Sequence, residues 1–140
     1  MKIKVYDTKR SCKISYEITG LAIKVHKTLG PWLLESVYEQ CLKFELERNG
    51  YDVKQQLIVK IEYEGLDLES NLKIDLLVND CIVVELKTIE NILPIHEAQL
   101  LTYMKLLEKP QGLLINFYTT NITKSMKPFV NEYFKRLDAL

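Results

Sequence analysis

The sequence contains no long apolar run and no arrangement of cysteines that would indicate a special class of protein. No segment approaches the roughly 20 consecutive apolar residues that cross a membrane, and the charged stretch 1–10 does not resemble a signal peptide. The three cysteines, Cys12, Cys41 and Cys81, are far apart, odd in number and outside any metal-ligand spacing. We therefore expect reduced thiols in a cytoplasmic protein rather than disulfides or a cysteine metal site.

An excess of charge of either sign is also missing, because 19 Lys and Arg residues balance 19 Asp and Glu residues. The zero net charge gives no support for strong non-specific binding to nucleic acid, although it leaves room for a local basic groove. The 140 residues suffice for one domain with a substantial core. Because the chain has no repeat, low-complexity tract or linker, we predict a single domain over 1–140, in which 1–14 form an extra strand or a loose arm.

Apolar residues recur at spacings of three and four in several segments, which is typical of amphipathic helices. On this basis and on helix-end signals we predict four helices: 16–29, 33–49, 95–108 and 128–137. Ser15 is a candidate N-cap of the first helix, and Gly30-Pro31 ends it because proline cannot continue a helix. Pro94 suits the first turn of the third helix.

Strands are predicted where apolar residues alternate or form short continuous runs. The first strand covers 51–64, with a bulge near Gln55-Gln56, and two more lie within 72–87 on either side of a polar turn at Asn79-Asp80. The continuous apolar run 113–118 is typical of a strand buried on both faces. The order helix, helix, three strands, helix, strand, helix predicts an α/β fold with a mixed sheet flanked by helices.

Three charged residues stand among the apolar residues of the two central strands. Side chains alternate along a strand, so Glu85 and Lys87 point to one face, and Asp75 joins them if the two runs pair as a hairpin. An unpaired buried charge is costly, so these groups need partners or a metal ion. The simpler alternative, which needs no metal ion, is that Glu85 and Lys87 form an ion pair on the surface.

The same residues suit phosphodiester hydrolysis assisted by a divalent metal ion. Magnesium prefers carboxylate oxygens, which Asp75 and Glu85 supply, and Lys87 would orient the attacking water or stabilise the phosphate charge. Glu35, in the first turn of the second helix, would supply a third carboxylate if that helix packs end-on to the sheet. Its position is also favoured by the helix dipole alone.

These residues carry a resemblance to known nucleases. Asp75 followed by Glu85-Leu86-Lys87 resembles the core motif of the PD-(D/E)-x-K nuclease superfamily, and the order of elements is similar to its restriction-endonuclease-like core. Within that superfamily, Glu35 and Tyr38 match the signature of the bacterial GxxExxY family. Gln99 and Tyr103 match the Gln-x-x-x-Tyr motif of RecB-type exonucleases. The resemblance covers about residues 15–130.

The chain departs from these patterns at two positions. Ile74 replaces the proline that names the superfamily, with little consequence for the chemistry. Trp32 stands where the GxxExxY signature has its glycine, so a bulky ring lies close to Glu35 in sequence and either reshapes the approach to it or packs.

The resemblance implies a metal-dependent nuclease that acts on DNA, in repair or in defence. Its site residues would be Glu35, Asp75, Glu85, Lys87, Gln99 and Tyr103. The three carboxylates would bind Mg²⁺ or Mn²⁺, and Gln99 would contact the attacking water or a phosphate. Tyr103 would contact the nucleic acid or hold Lys87.

Two alternatives from other classes stay open. The first is a non-catalytic module that keeps the nuclease fold and binds nucleic acid or a partner protein, which the balanced charge and Trp32 favour. The second is an oligomeric scaffold, such as a homodimer, formed through the C-terminal aromatic residues Phe129, Tyr133 and Phe134.

Overall fold

A computed structural model of the protein describes residues 8–137. Within this range the helices are α1 (Thr8–Leu29), α2 (Glu35–Arg48), α3 (Pro94–Leu106) and α4 (Glu132–Arg136). The strands are β1 (Val53–Ile58), β2 (Ile61–Tyr63), β3 (Leu66–Leu68), β4 (Lys73–Val78), β5 (Ile82–Lys87), β6 (Gln111–Asn116) and β7 (Met126–Val130). A short 3₁₀ helix, Ile122–Lys124, precedes β7. Among the helices of this range, none is long and apolar enough to span a membrane.

Five strands form the central sheet, in the order β1-β4-β5-β6-β7, and β2 and β3 form a separate hairpin. The pair β5 and β6 is parallel, with α3 as the crossover, and the other neighbours are antiparallel. The turn between β4 and β5 places Asn79 and Asp80 at φ 51° and 55°, a conformation that Asn and Asp tolerate better than most residues. The predicted α/β fold with a mixed sheet and flanking helices is confirmed.

Apolar side chains on both faces of the sheet build two cores. On one face Val84 and Leu86 pack with residues of α1 and α2, and on the other Val83 packs with residues of α3. Strands β5 and β6 are therefore apolar on both sides, as the continuous run at 113–118 predicts. Gly112 lets α3 approach β6, because a Cβ there would lie 2.5 Å from the sulfur of Met104.

The first helix begins earlier than predicted. Residues 8–14 belong to α1, so a strand or arm there is wrong, and Ser15 is an interior helical residue rather than a cap. The expectation for 1–7 lies outside the described residues. Ser11, Ile14 and Ile18 are buried at helical spacing. The periodicity is hidden in the sequence because the first of these core-facing residues is a polar serine.

The predicted strand 51–64 is divided into β1 and β2. Gln56 adopts φ 52°, while the register is the same on both sides of it, with Gln55 opposite Leu76 and Leu57 opposite Ile74. The expected distortion is therefore present at this point, but it is a backbone twist rather than a bulge with an extra residue. The hairpin of β2 and β3 lies in the chain between β1 and β4, while β1, β4 and β5, which contain the three predicted strands, are neighbours in the sheet.

The predicted C-terminal helix 128–137 is wrong in its first part. Residues 126–130 form β7 at the edge of the sheet, and only Glu132–Arg136 are helical. Pro128 argues against a helix centre but is tolerated in an edge strand. The aromatic residues Phe129, Tyr133 and Phe134, through which the scaffold alternative would form its contacts, are each partly buried.

Candidate active site

The central feature of the site is a fork between β4 and β5. These strands pair from Val78 opposite Ile82 to Leu76 opposite Val84, where their ladder ends, while β5 continues beside β6. Asp75 and Glu85, the next opposed residues, reach across the gap. The Glu85 Oε1 accepts a hydrogen bond from the Asp75 N–H (2.9 Å), and the Asp75 Oδ2 accepts one from the Leu86 N–H (2.8 Å). Each carboxylate therefore satisfies a backbone donor of the opposite strand.

A third buried carboxylate, Glu39 on α2, joins this fork. Glu39 is 6% exposed, and Asp75 and Glu85 are 9% and 7% exposed. The amides of Gln55 and Gln56 each donate to one oxygen of Glu39 at 2.7 Å, and the Gln56 amide also donates to Asp75 at 3.2 Å. Neighbouring side chains of a regular strand point to opposite faces, so the positive φ of Gln56 explains how both amides reach one carboxylate.

Glu39, Gln55 and Gln56 are the residues that sequence reasoning missed at this site. The one available signal for Glu39 is its spacing, since it follows Glu35 by four residues and so shares a helix face with it. For Gln55 and Gln56 the sequence indicates only a distortion of the strand at their position, not a contact with a carboxylate.

The carboxyl groups of the fork hold their protons unusually tightly. Burial raises the pKa of Asp75 to about 7, together with the charges of Glu39 and Glu35, against the effect of the Leu86 N–H. Burial also raises the pKa of Glu85 to about 8, together with the charge of Asp75, while the Asp75 N–H and Lys87 act in the opposite direction. The acids repel one another in a place with little water, so protons or a cation must offset their charge.

Glu35 and Lys87 lie at the rim of this cluster, and both are half-buried. Burial raises the pKa of Glu35, which the charge of Lys87 opposes and the charge of Glu39 reinforces. Glu35 also acts electrostatically on Asp75 and Glu85. Glu35, Asp75, Glu85 and Lys87 are therefore close enough to affect one another's protonation, while their roles at the site stay a prediction.

Gln99 and Tyr103 approach the cluster from α3. Tyr103 is buried and its pKa is raised, first by burial and then by the charges of Glu85 and Asp75. A hydrogen bond with the Gln99 side chain acts in the opposite direction, and Gln99 itself is exposed. Tyr103 therefore lies close enough to Glu85 and Asp75 to be affected by their charges, and Gln99 contacts Tyr103.

The donor atoms of the cluster are of the kind that Mg²⁺ and Mn²⁺ prefer, since all are carboxylate oxygens. The raised pKa values of Asp75 and Glu85 also fit such an ion, because a nearby cation would replace the protons that they retain. In the described part of the chain, however, no group of three or more His, Cys, Asp and Glu side chains is already arranged to hold a metal ion. The metal set Glu35, Asp75 and Glu85 therefore stays a prediction.

The fold and this site define an α/β protein with an acidic centre where two strands of its central sheet separate. The chain belongs to the PD-(D/E)XK nuclease superfamily, whose family model matches residues 12–129. The five-stranded mixed sheet with flanking helices is consistent with the restriction-endonuclease-like core of that superfamily. No significant match was found among curated proteins or among solved structures.

Proposed function

We propose that this protein is a Mg²⁺- or Mn²⁺-dependent nuclease that hydrolyses phosphodiester bonds of DNA. The observation that carries the proposal is the cluster of buried, mutually repelling carboxylates at the strand fork, next to Lys87. A structural protein gains nothing from such a cluster, because burying like charges together costs stability.

Asp75 and Glu85 would hold the metal ion, with Glu35 as the third ligand. When bound, the ion supplies positive charge that offsets the phosphate and lowers the pKa of water. The Lys87 ammonium group would orient the attacking water or stabilise charge on the phosphate. Gln99 would contact that water or a phosphate oxygen, and Tyr103 would contact the nucleic acid or hold Lys87.

Glu39 has a different role in this proposal, because its two oxygens accept hydrogen bonds from Gln55 and Gln56. It acts on Asp75 through the shared Gln56 amide and through its own charge. Glu39 is therefore a positioning residue, which fixes the orientation of the Asp75 carboxylate and its readiness to lose a proton.

Within the superfamily we place the chain in the GxxExxY family, with a role in DNA repair or defence. Support comes from Glu35, which lies in the first turn of α2, and from Tyr38 one turn later. The Tyr38 hydroxyl donates to the Gly30 carbonyl and accepts from the Leu33 N–H at 3.1 Å. The Glu and Tyr of the signature thus have separate tasks, one at the acidic centre and one in the preceding loop.

The experiment is a cleavage assay with single- and double-stranded DNA, in Mn²⁺ and in a chelator. We expect wild type to cut in Mn²⁺ only, and Lys87→Ala to lose the activity. Lys43→Ala is the matched control, since Lys43 lies on the outer surface of α2 beside Glu47 and should leave cleavage unchanged. Equal inertness of wild type and Lys87→Ala on all substrates would refute catalysis for those substrates.

The second candidate is a non-catalytic module that binds nucleic acid through the same region. The observation that favours it is Trp32, whose ring is exposed near Glu35. DNA binding of equal strength with and without Mn²⁺, and without cleavage, would support this candidate over the nuclease. An oligomeric scaffold built on Phe129 is less favoured, because Phe129 packs against the core on the α3 side; sedimentation of a monomer would exclude it.

A further inference from the structure

An exposed pair of aromatic rings, Trp32 and Tyr118, lies outside the catalytic roles described above. Trp32 is 60% exposed and Tyr118 is 39% exposed. Their ring centroids are 4.3 Å apart with an interplanar angle of 64°, an edge-to-face arrangement. Such a contact covers at most one face of one ring, so flat aromatic surface stays open to a ligand.

Both rings belong to segments that lead directly into the site. Trp32 precedes Glu35 by three residues, and an extended chain advances at most about 3.6 Å per residue, so their Cα atoms lie within about 11 Å. On the other segment the Phe117 N–H donates to the Lys87 carbonyl at 2.8 Å, and Tyr118 is the next residue. The aromatic pair is thus within a nucleotide or two of Glu35 and Lys87.

The backbone that carries the pair is fixed by buried contacts. The Tyr38 ring stacks on Phe117 at 4.4 Å and 15°. Its hydroxyl accepts from the Leu33 N–H and donates to the Gly30 carbonyl, so Tyr38 supports both segments at once. His26 Nε2 donates to the Thr119 carbonyl at 2.7 Å, which secures the chain beyond Tyr118 to the end of α1.

This rigidity matters for binding because a preordered surface loses little conformational entropy when a ligand stacks on it. Every nucleobase has a flat π-face, and stacking on an aromatic side chain is therefore largely independent of sequence. In a duplex the bases stack on one another and their faces are not accessible. Because the net charge is zero and gives no support for strong non-specific binding of phosphates, stacking would add affinity from another source.

We propose that Trp32 and Tyr118 form a stacking platform for an unpaired base of DNA beside the carboxylate cluster. The inference rests on the proposed nuclease function and specifies its substrate as single-stranded DNA or a frayed end. It also gives Trp32, the departure from the GxxExxY signature, a direct role in substrate choice.

The chain contains a single tryptophan, so its intrinsic fluorescence reports on this position alone. We would titrate the wild-type protein in Mn²⁺ with a short single strand whose phosphorothioate linkages resist cleavage, and with the corresponding duplex. We expect saturable quenching by the single strand and much weaker quenching by the duplex. Binding without any change in Trp32 fluorescence, or no binding of the single strand, would overturn the proposal.

Variants test the same point without fluorescence, using anisotropy of a labelled strand. Trp32→Ala should weaken binding of the single strand by roughly 5- to 150-fold, the range for loss of one base stack, while Trp32→Phe should retain most of the affinity. Tyr16→Ala is the control. Tyr16 is also an exposed aromatic residue (80% exposed), but it lies near the middle of α1 rather than at the end of that helix which leads towards Trp32. Equal affinity of Trp32→Ala and wild type would contradict the platform.

Failure of this proposal can be told apart from failure of the nuclease function. If wild type cuts single strands and duplexes equally, and Trp32→Ala does the same, the platform is refuted and the nuclease stands. If the single strand quenches Trp32 and Trp32→Ala binds weakly, the platform is supported even where no DNA is cut.

Discussion

Polar side chains are buried at both ends of the β4–β5 hairpin, but those at the turn end are neutral and those at the fork end are acids of like charge. At the turn end Ser11 donates to the side-chain oxygen of Gln111 and contacts the sulfur of Cys81 at 3.3 Å. These groups are neutral and satisfy one another. At the fork end Asp75 and Glu85 carry like charges whenever both lose their protons, and their pKa values are raised accordingly.

The polar contact at the turn end therefore stabilises the fold, whereas the contact between the carboxylates at the fork end destabilises it. Neutral partners at the turn end recover the cost of burial through hydrogen bonds. The carboxylates at the fork recover only part of it, from the Asp75 and Leu86 N–H groups. Sites that sacrifice stability in this way are commonly those that carry function.

The largest effect is expected from Asp75→Asn. The amide keeps an oxygen for the Leu86 N–H and loses only the longer bond from the Gln56 amide (3.2 Å), but it removes one of the repelling charges and a metal ligand, so cleavage should fall at least about 100-fold. The melting temperature of the metal-free variant at about pH 8 should rise above that of wild type. Initial rates in Mn²⁺ and thermal denaturation in a chelator measure the two effects.

The matched control is Asp80→Asn at the turn end, where Asp80 is exposed and pairs with Lys109. Its cleavage rate should equal that of wild type. An Asp75→Asn variant that is both active and less stable than wild type would contradict the view that the fork end of the hairpin serves function at the expense of stability.

A change of pH should act on the fork and not on the turn end. Because Asp75 and Glu85 have raised pKa values, the native state binds more protons than the unfolded state between about pH 4 and about pH 8. The free energy of unfolding of the metal-free protein should therefore fall as the pH rises through this window. Urea denaturation in a chelator checks this, and Mg²⁺ should oppose the loss at the alkaline end.

The double variant Asp75→Asn, Glu85→Gln provides the control for this pH dependence, since it should make the unfolding free energy much less sensitive to pH. A wild-type protein whose stability rises steadily over the same range would show that the fork carboxylates are not the groups that retain protons.

Glu39→Gln should have a smaller effect on catalysis. The substituted amide can accept on only one side, so one of the bonds from Gln55 and Gln56 is lost and Asp75 is less well oriented. Loss of such a supporting partner typically costs about 10- to 100-fold in activity or metal affinity. The Mn²⁺ concentration dependence of cleavage measures it. Glu47→Gln, on the outer surface of α2, should match wild type, and an unchanged Glu39→Gln would remove its positioning role.

The smallest effect on cleavage is expected from Ser11→Ala at the turn end. This change leaves the buried Gln111 oxygen without its donor and should lower the free energy of unfolding by about 1–3 kcal/mol. The cleavage rate per folded molecule should stay the same. Thr28→Ala, on the exposed side of α1, should change stability by no more than about 0.5 kcal/mol. Denaturant titration combined with rates at a common folded fraction tests both expectations.

The fork was accessible from the sequence because it depends on local alternation and on one short turn. Asp75, Glu85 and Lys87 are brought together by pairing across Asn79-Asp80, which a pattern of charges among apolar residues reveals. Glu39 was not accessible in the same way. Its contribution depends on how α2 packs and on the left-handed conformation of Gln56, neither of which follows from periodicity.

The errors at the two ends of the chain have a similar origin. The beginning of α1 was missed because Ser11, a polar residue, occupies a position that faces the core and finds its partners about 100 residues away in Gln111 and 70 away in Cys81. The helix predicted from 128 is wrong because β7 is only five residues long, too short for a clear alternation, and its extended conformation depends on pairing with β6. Long-range contacts decide both cases.

The central claim, that the fork is a site for a divalent cation, is tested most directly by calorimetric titration of the metal-free protein with Mn²⁺. We expect saturable binding to wild type near neutral pH, and loss of that binding in the double variant Asp75→Asn, Glu85→Gln, which should remain folded. Absence of binding to folded wild type, or equal binding to the double variant, would contradict it.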